Sequence, residues 1–249
     1  MENYNQDPRT ISIDARTGSR SIAKNFMANV FTWMFVALGI SALIAYLTTT
    51  NLELIVPVAF DLTTGKPNIL GWILMLAPLG FVFAMSLGFN RMSTPVLTLL
   101  FILFAAIMGI SLGFTVSFYT LSSVFGCFIS AAGMFGVMAF MGYTTDKDLT
   151  TFGRILSMAL IGILIAMLVN IFMKSSTMEF VISIIGVLVF TGLTAYDVQK
   201  LKRIGEGIEY EGVPTTQTRK LALMGALNLY LDFINIFLFL LRLFGGRRE

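Results

Sequence analysis

Two aspartates are the residues of this chain whose positions could carry chemistry. Asp232 lies near the middle of the apolar run Leu221–Leu241, and Asp197 closes the preceding apolar run. A carboxylate at the centre of a bilayer costs roughly 3 kcal/mol or more unless it is protonated, paired or hydrated. Each aspartate is therefore a candidate functional group.

Two asparagines share a helical face with Asp232. Asn228 lies four residues before it and Asn235 three residues after it, a spacing that places all three on one side of a helix. Lipid cannot satisfy such a polar stripe. The pattern predicts that the last helix is the centre of a bundle and that its stripe faces protein.

Spacing alone leaves the roles of the charged groups open. If Asp197 and Asp232 meet, both carboxylates cannot easily be ionised together, and the pair titrates as one unit. Alternatively, Asp197 is an interfacial acid balanced by Lys200 and Lys202. In the same way, Asp232 could only make an interhelical hydrogen bond that holds the bundle. Arg91, after the second apolar run, is either a third member of the cluster or an ordinary positive anchor on the cytoplasmic side.

The composition is that of an integral membrane protein. Of 249 residues, 56% are hydrophobic and only 12% are charged. The net charge of +3 is too small to indicate nucleic acid as a partner. The chain has one cysteine and no histidine, so it forms no intrachain disulfide, and proton sensing near neutrality would have to use carboxylates.

Hydropathy divides the chain into a polar tail, residues 1–24, and a seven-helix transmembrane domain, residues 25–249. The tail shows no helical period and is interpreted as mobile. The predicted fold class is therefore an all-α integral membrane protein, a seven-transmembrane-helix bundle with the last helix central. Its seven apolar runs cover roughly 26–47, 69–89, 95–118, 121–142, 152–173, 178–199 and 221–243.

Lysine and arginine indicate the orientation. They concentrate in the tail and in the loops after the second, fourth and sixth runs, whereas the other loops carry Lys66 and Lys174. The positive-inside rule therefore predicts a cytoplasmic N-terminus. Arg242, Arg247 and Arg248 would then lie on the far side, which departs mildly from the rule.

Small residues predict close helix packing in the third and fourth runs. Gly109 and Gly113 form a GxxxG pair, and Ser122, Gly126 and Ser130 repeat at the same spacing. Such residues let helix backbones approach each other in membranes.

The sequence lacks the motifs of several classes of membrane protein and enzyme. The last run contains no lysine for a retinal pigment, and the residues before Asp232 are Leu-Tyr-Leu rather than the Gly-x-Gly of presenilin-type proteases. No phosphate loop, nucleophile motif or zinc spacing is present. The sequence therefore predicts a protein that is not an enzyme.

Three stretches carry a resemblance to a known family. GALNLYLDFINIFLFLLRLFG in the last run, residues 141–172 and TGLTAYDVQKLKRI at 191–204 closely resemble the Bax inhibitor-1 (TMBIM) family, and most of all its bacterial YccA-like branch. With the seven-run layout, the resemblance covers nearly the whole chain after residue 20.

The resemblance implies a pH-sensitive leak channel for cations, chiefly calcium, in the bacterial inner membrane. The family's proton-sensing aspartate pair matches Asp197 and Asp232, which would also line a calcium path, and its latching arginine matches Arg91. No resident cofactor is implied. Some members carry an acid in the second helix, which this chain lacks. The alternative is a regulatory membrane protein without transport, which binds a membrane AAA protease or acts in a stress pathway.

Overall fold

The part of the chain that the structure describes folds into eight helices. The computed structural model describes residues 8–59, 61 and 68–247, and within them it contains helices and a single isolated β-bridge. The helices are α1 (Pro8–Thr50), α2 (Leu52–Ala59), α3 (Ile69–Gly88), α4 (Thr94–Val116), α5 (Leu121–Thr144), α6 (Thr150–Met173), α7 (Ser176–Glu211) and α8 (Thr215–Phe244). The all-α fold predicted from the sequence is confirmed.

Six of the described helices are long and apolar enough to cross a membrane. They are α4, α5, α6, α7, α8 and the Ile22–Thr50 part of α1. In α3 the apolar stretch Leu76–Gly88 is shorter. The helix also contains Pro78, which lacks the backbone donor of a regular turn. The count of seven membrane-spanning helices therefore stays a prediction.

The turns of the bundle gather at two ends. At the first, the Thr94 hydroxyl donates to the Thr216 carbonyl (3.4 Å), and Gly205 of α7 lies against Ala23 of α1. This end holds α1 around Ala23, the α3–α4 and α7–α8 turns and the α5–α6 loop, and we call it the basic end. At the opposite end, the Thr120 N–H donates to the Gly246 carbonyl (2.8 Å), so the C-terminus packs on the α4–α5 turn.

The last helix is the centre of the bundle, as predicted. Among the six membrane-length helices α8 is the most buried, and it packs against α1, α4, α5 and α7. Its fully buried Tyr230 donates to the Ser41 hydroxyl (2.7 Å), which donates to the Ala105 carbonyl (2.7 Å). One hydrogen-bonded chain thus joins α8, α1 and α4, and Phe104 packs edge-on against the tyrosine ring (5.3 Å).

The GxxxG pair of α4 packs closely against α1, as predicted, whereas Gly126 of α5 is not in a close helix contact. A Cβ atom at Gly109 would lie 2.8 Å from the Ser41 carbonyl oxygen of α1, and one at Gly113 would overlap Thr48. A Cβ atom at Gly126 would meet nothing within 4 Å. The prediction of close approach is thus correct for α4 on α1 and wrong for Gly126.

Two boundaries differ from those predicted. The structure places residues 8–24, assigned to a mobile tail, in α1, which begins at Pro8, where the missing N–H of proline costs no helical hydrogen bond. The run predicted to end at 199 continues as α7 to Glu211. Residues 200–211 are polar but contain no proline, and α7 stops only at Gly212, whose positive φ of 62° suits glycine.

Candidate functional site: an aspartate pair between α7 and α8

The site is built where α7 and α8 run antiparallel in close contact. A Cβ atom at Gly186 would meet the Phe239 ring at 2.5 Å, and one at Gly225 would meet Leu201 Cδ2 at 2.5 Å. These contacts fix the register of the two helices on both sides of Asp197. In this register Asn228 lies roughly level with Asp197, and Asp232 lies about one helical turn deeper.

The two aspartate side chains lie near enough for their charges to interact. Asp232 is 5% exposed, and its Oδ2 atom is buried without a hydrogen-bond partner. Asp197 is half-buried, and the charges of the two carboxylates interact. The sequence left open whether the two acids meet. In the structure, the Asp232 carboxylate lies inside the bundle, and the Asp197 carboxylate lies nearer the basic end.

Basic side chains near the pair are mostly engaged elsewhere. Lys200 attracts the Asp197 carboxylate without forming a close ion pair. Lys202, also proposed to balance Asp197, instead donates to the Tyr143 carbonyl (3.1 Å) and lies 5.4 Å from the centre of the Tyr143 ring. Over the described ranges the ion pair that forms joins Arg203 to Asp148. Neither aspartate therefore forms an ion pair with a cation of the described residues.

Arg91 forms no ion pair with either aspartate in this conformation. Its side chain is exposed in the α3–α4 turn, and it makes no ion pair with any described residue. The helix before it, α3, packs against α4 and α2. The latch contact is therefore absent from this conformation, and a latch in another state of the bundle stays a prediction.

The polar stripe of α8 does not face protein along its whole length. Asn228 is exposed, contrary to the prediction, and Asn235 is half-buried and donates to the Leu231 carbonyl of its own helix (2.8 Å). Asn235 lines a small cavity of about 90 Å³ between α8, α7 and α6. Because α6 packs mainly on α7, this side of α8 stays open. Of the three polar residues, Asp232 alone is fully inside the bundle.

Gln199 is a positioning residue that the sequence reasoning missed. The Leu149 N–H donates to its Oε1 (2.9 Å), and its Nε2 donates to the Lys147 carbonyl (2.7 Å). This buried amide fixes the α5–α6 loop two residues from Asp197. The available signal was an uncharged polar residue two positions after the aspartate, at the end of an apolar run.

Asp148 in the same loop titrates far below neutrality. The hydroxyl of Thr150, then its backbone N–H, and then Arg203 lower the pKa of Asp148 to about 2. The unfolded value is about 3.9, so any stabilisation from this carboxylate is complete above about pH 4 and is lost as the pH falls through about 2. Asp148 stays ionised near pH 7 and is a suitable control for proton sensing.

These features define a helical membrane protein with a carboxylate pair inside its bundle, and sequence comparison gives the family. The family described as "Inhibitor of apoptosis-promoting Bax1" matches residues 23–249. The chain belongs to the Bax inhibitor-1 family. The more specific YccA-like assignment stays a prediction.

Similar bacterial proteins match over nearly their whole length. The inner membrane protein YbhL of Escherichia coli K12 is 43% identical over 241 residues, covering 97% of this chain and 98% of that protein. An uncharacterized protein of Borreliella burgdorferi is 42% identical over 229 residues, covering 92% of this chain and 94% of the relative. One of Rickettsia prowazekii is 39% identical over 226 residues, covering 91% of each. With the six membrane-length helices, this similarity supports a multi-pass bacterial inner membrane protein.

Proposed function

We propose that this protein is a pH-sensitive leak channel for calcium and related cations, in which Asp197 and Asp232 sense protons. The observation that carries the proposal is the buried Asp232 carboxylate, which has an unpartnered oxygen and interacts with a second carboxylate. A pair confined in this way changes its net charge when it gains or loses one proton. Family membership adds the expectation of a cation leak.

The same pair provides oxygen ligands for a passing cation. Calcium binds six to eight oxygen atoms, chiefly from carboxylates, carbonyls and water. Among the described residues no group of three or more acidic, histidine or cysteine side chains lies together. Two carboxylates, helped by Asn228 at the level of Asp197, suit transient passage better than permanent binding. We propose entry along the open side of α8, with the basic end in the cytoplasm.

The test is calcium flux into liposomes that contain the purified protein and a calcium-sensitive dye. We expect uptake above that of protein-free liposomes, with a rate that changes across the neutral pH range. Flux equal to that of protein-free liposomes at every pH would contradict the proposal. It would favour a regulatory protein that binds partners such as a membrane AAA protease and transports nothing.

Arg91 is proposed to latch the bundle closed in a state other than this one. Because an ionised pair would hold the guanidinium by charge-assisted hydrogen bonds, Arg91→Ala should raise the basal calcium leak severalfold above pH 7. The flux assay measures this leak. Arg154→Ala, which removes an exposed cation at the basic end of α6, is the matched control. If both variants leak like the wild type, Arg91 is only an anchor for membrane topology.

A further inference from the structure

A large cavity lies apart from the aspartate pair, between α1, α4 and α8 at the basic end. Its volume is about 1040 Å³, and it is lined by side chains from the middle of α1 and from the first turns of α4 and α8. Neither the two aspartates nor Arg91 lines it. The proposed leak therefore does not account for this cavity.

One wall of the cavity is basic. Arg219 is exposed, and Lys220 is half-buried, with its ammonium 3.4 Å from the Phe89 carbonyl and 5.9 Å from the centre of the Phe89 ring. The residues that line the cavity include no aspartate or glutamate. Neither cation takes part in an ion pair with any described residue. This wall therefore carries positive charge that no nearby acid neutralises, and it is complementary to an anion.

The deeper wall is apolar. Leu99 and Ile102, one and two turns into α4 from the basic end, are exposed along this wall. Trp33 of α1 is half-buried beside them and packs edge-on against Phe101, with ring centres 6.3 Å apart. Tryptophan is favoured at the boundary between headgroups and hydrocarbon. The cavity thus changes from charged at its mouth to apolar within about 10 Å along α4.

We propose that this cavity binds an anionic phospholipid. Its phosphate would lie against Arg219 and Lys220, and one acyl chain would follow Trp33 and Leu99. Basic pockets between transmembrane helices are suited to anionic lipid headgroups. A soluble anion would use the basic wall alone and leave the apolar wall uncovered, which is why a lipid is the better occupant. The proposal is independent of the ion leak.

Because the chain has only two tryptophans, lipid binding in the cavity can be measured by the fluorescence of Trp33. The chain contains only Trp33 and Trp72, and Trp72 is 55% exposed on α3, so Trp72→Phe leaves Trp33 as a single fluorescent reporter with little expected disturbance. This protein is placed in phosphatidylcholine bilayers with increasing fractions of phosphatidylglycerol whose acyl chains carry bromine, a short-range quencher. We expect stronger quenching of Trp33 than by brominated phosphatidylcholine at the same fraction, and relief by unbrominated phosphatidylglycerol. Equal quenching by the two lipids would overturn the proposal.

Charge-removing variants test the basic wall. Arg219→Gln and Lys220→Gln should each reduce the preference for phosphatidylglycerol about fivefold, since a cation near an anionic surface contributes about that factor. Arg154→Gln removes an exposed cation at the same end but does not line the cavity, and it should keep the full preference. An equal loss in all three variants would show attraction to the whole basic end rather than a site, and would contradict the proposal.

A final experiment distinguishes binding of a lipid from binding of a soluble anion. Millimolar inorganic phosphate is added to the bilayers that contain brominated phosphatidylglycerol, at constant ionic strength. The lipid site predicts that quenching of Trp33 is unchanged, because acyl-chain contacts hold the lipid in place. Displacement of the brominated lipid by phosphate would show that the basic wall takes a free anion, and the lipid proposal would be wrong.

Discussion

The double variant Asp197→Asn/Asp232→Asn should conduct calcium at a rate that no longer depends on pH across the neutral range. Asparagine keeps the shape of both side chains but cannot gain or lose a proton. Each single variant should flatten the dependence in part, because one carboxylate then titrates without its neighbour. The measurement is the initial rate of calcium uptake into liposomes at a series of external pH values.

Asp148→Asn is the matched control for this experiment. It removes one carboxylate at the basic end, near α7 but outside the membrane-spanning segments. Because the pKa of Asp148 is about 2, its charge does not change near neutrality, and the variant should keep the wild-type profile. A folded double variant that retains the wild-type pH dependence would exclude the aspartates as the sensor. Glu209, which has one buried, unpartnered carboxylate oxygen at the end of α7, would then be the next candidate.

Gly142→Ala should strongly destabilise the bundle. An added Cβ atom would overlap the Ala195 carbonyl group and Cα atom, which are backbone atoms of α7. A helix backbone cannot yield as a flexible side chain does, so α5 and α7 must separate, at a cost of about 3 kcal/mol. Because Ala195 lies two residues before Asp197, the separation should also change the pH dependence of the leak. Thermal unfolding in detergent measures the first effect.

Gly136→Ala on the same helix is the control. A Cβ atom there would meet nothing within 4 Å, and alanine is a better helix former than glycine by up to about 1 kcal/mol. This variant should unfold at the wild-type temperature or slightly above it. Equal unfolding temperatures for Gly136→Ala and Gly142→Ala would show that the close approach of α5 to α7 does not support the bundle.

The central position of α8 could be predicted because it follows from one physical constraint. A carboxylate in the middle of an apolar helix must be sheltered by protein, and Asp232 is buried. The surroundings of Asn228 could not be predicted in the same way. Helical spacing gives the face on which a residue lies, but whether another helix covers that face depends on how α6 packs, and α6 lies against α7.

Hydropathy also predicted the apolar spans more accurately than it predicted where the helices end. The extension of α7 to Glu211 is polar, and its helical hydrogen bonds continue beyond the apolar run until Gly212. The hydrogen bonds of Gln199 depend on a contact with a loop about 50 residues earlier in the chain, which no local pattern reveals. The position of Arg91 depends on how α3 packs, and α3 lies mainly against α4.

We propose that the proton which gates the leak binds at Asp197 and Asp232. Infrared difference spectroscopy of the protein in liposomes, recorded as the pH is stepped through the range in which calcium flux changes, observes this proton directly through the carboxyl C=O stretching band. We expect a band that appears and disappears with the change in flux, is lost in Asp197→Asn/Asp232→Asn and is kept in Asp148→Asn. A spectrum without a titrating carboxyl band in that range, or a band that survives in the double variant, would contradict the proposal.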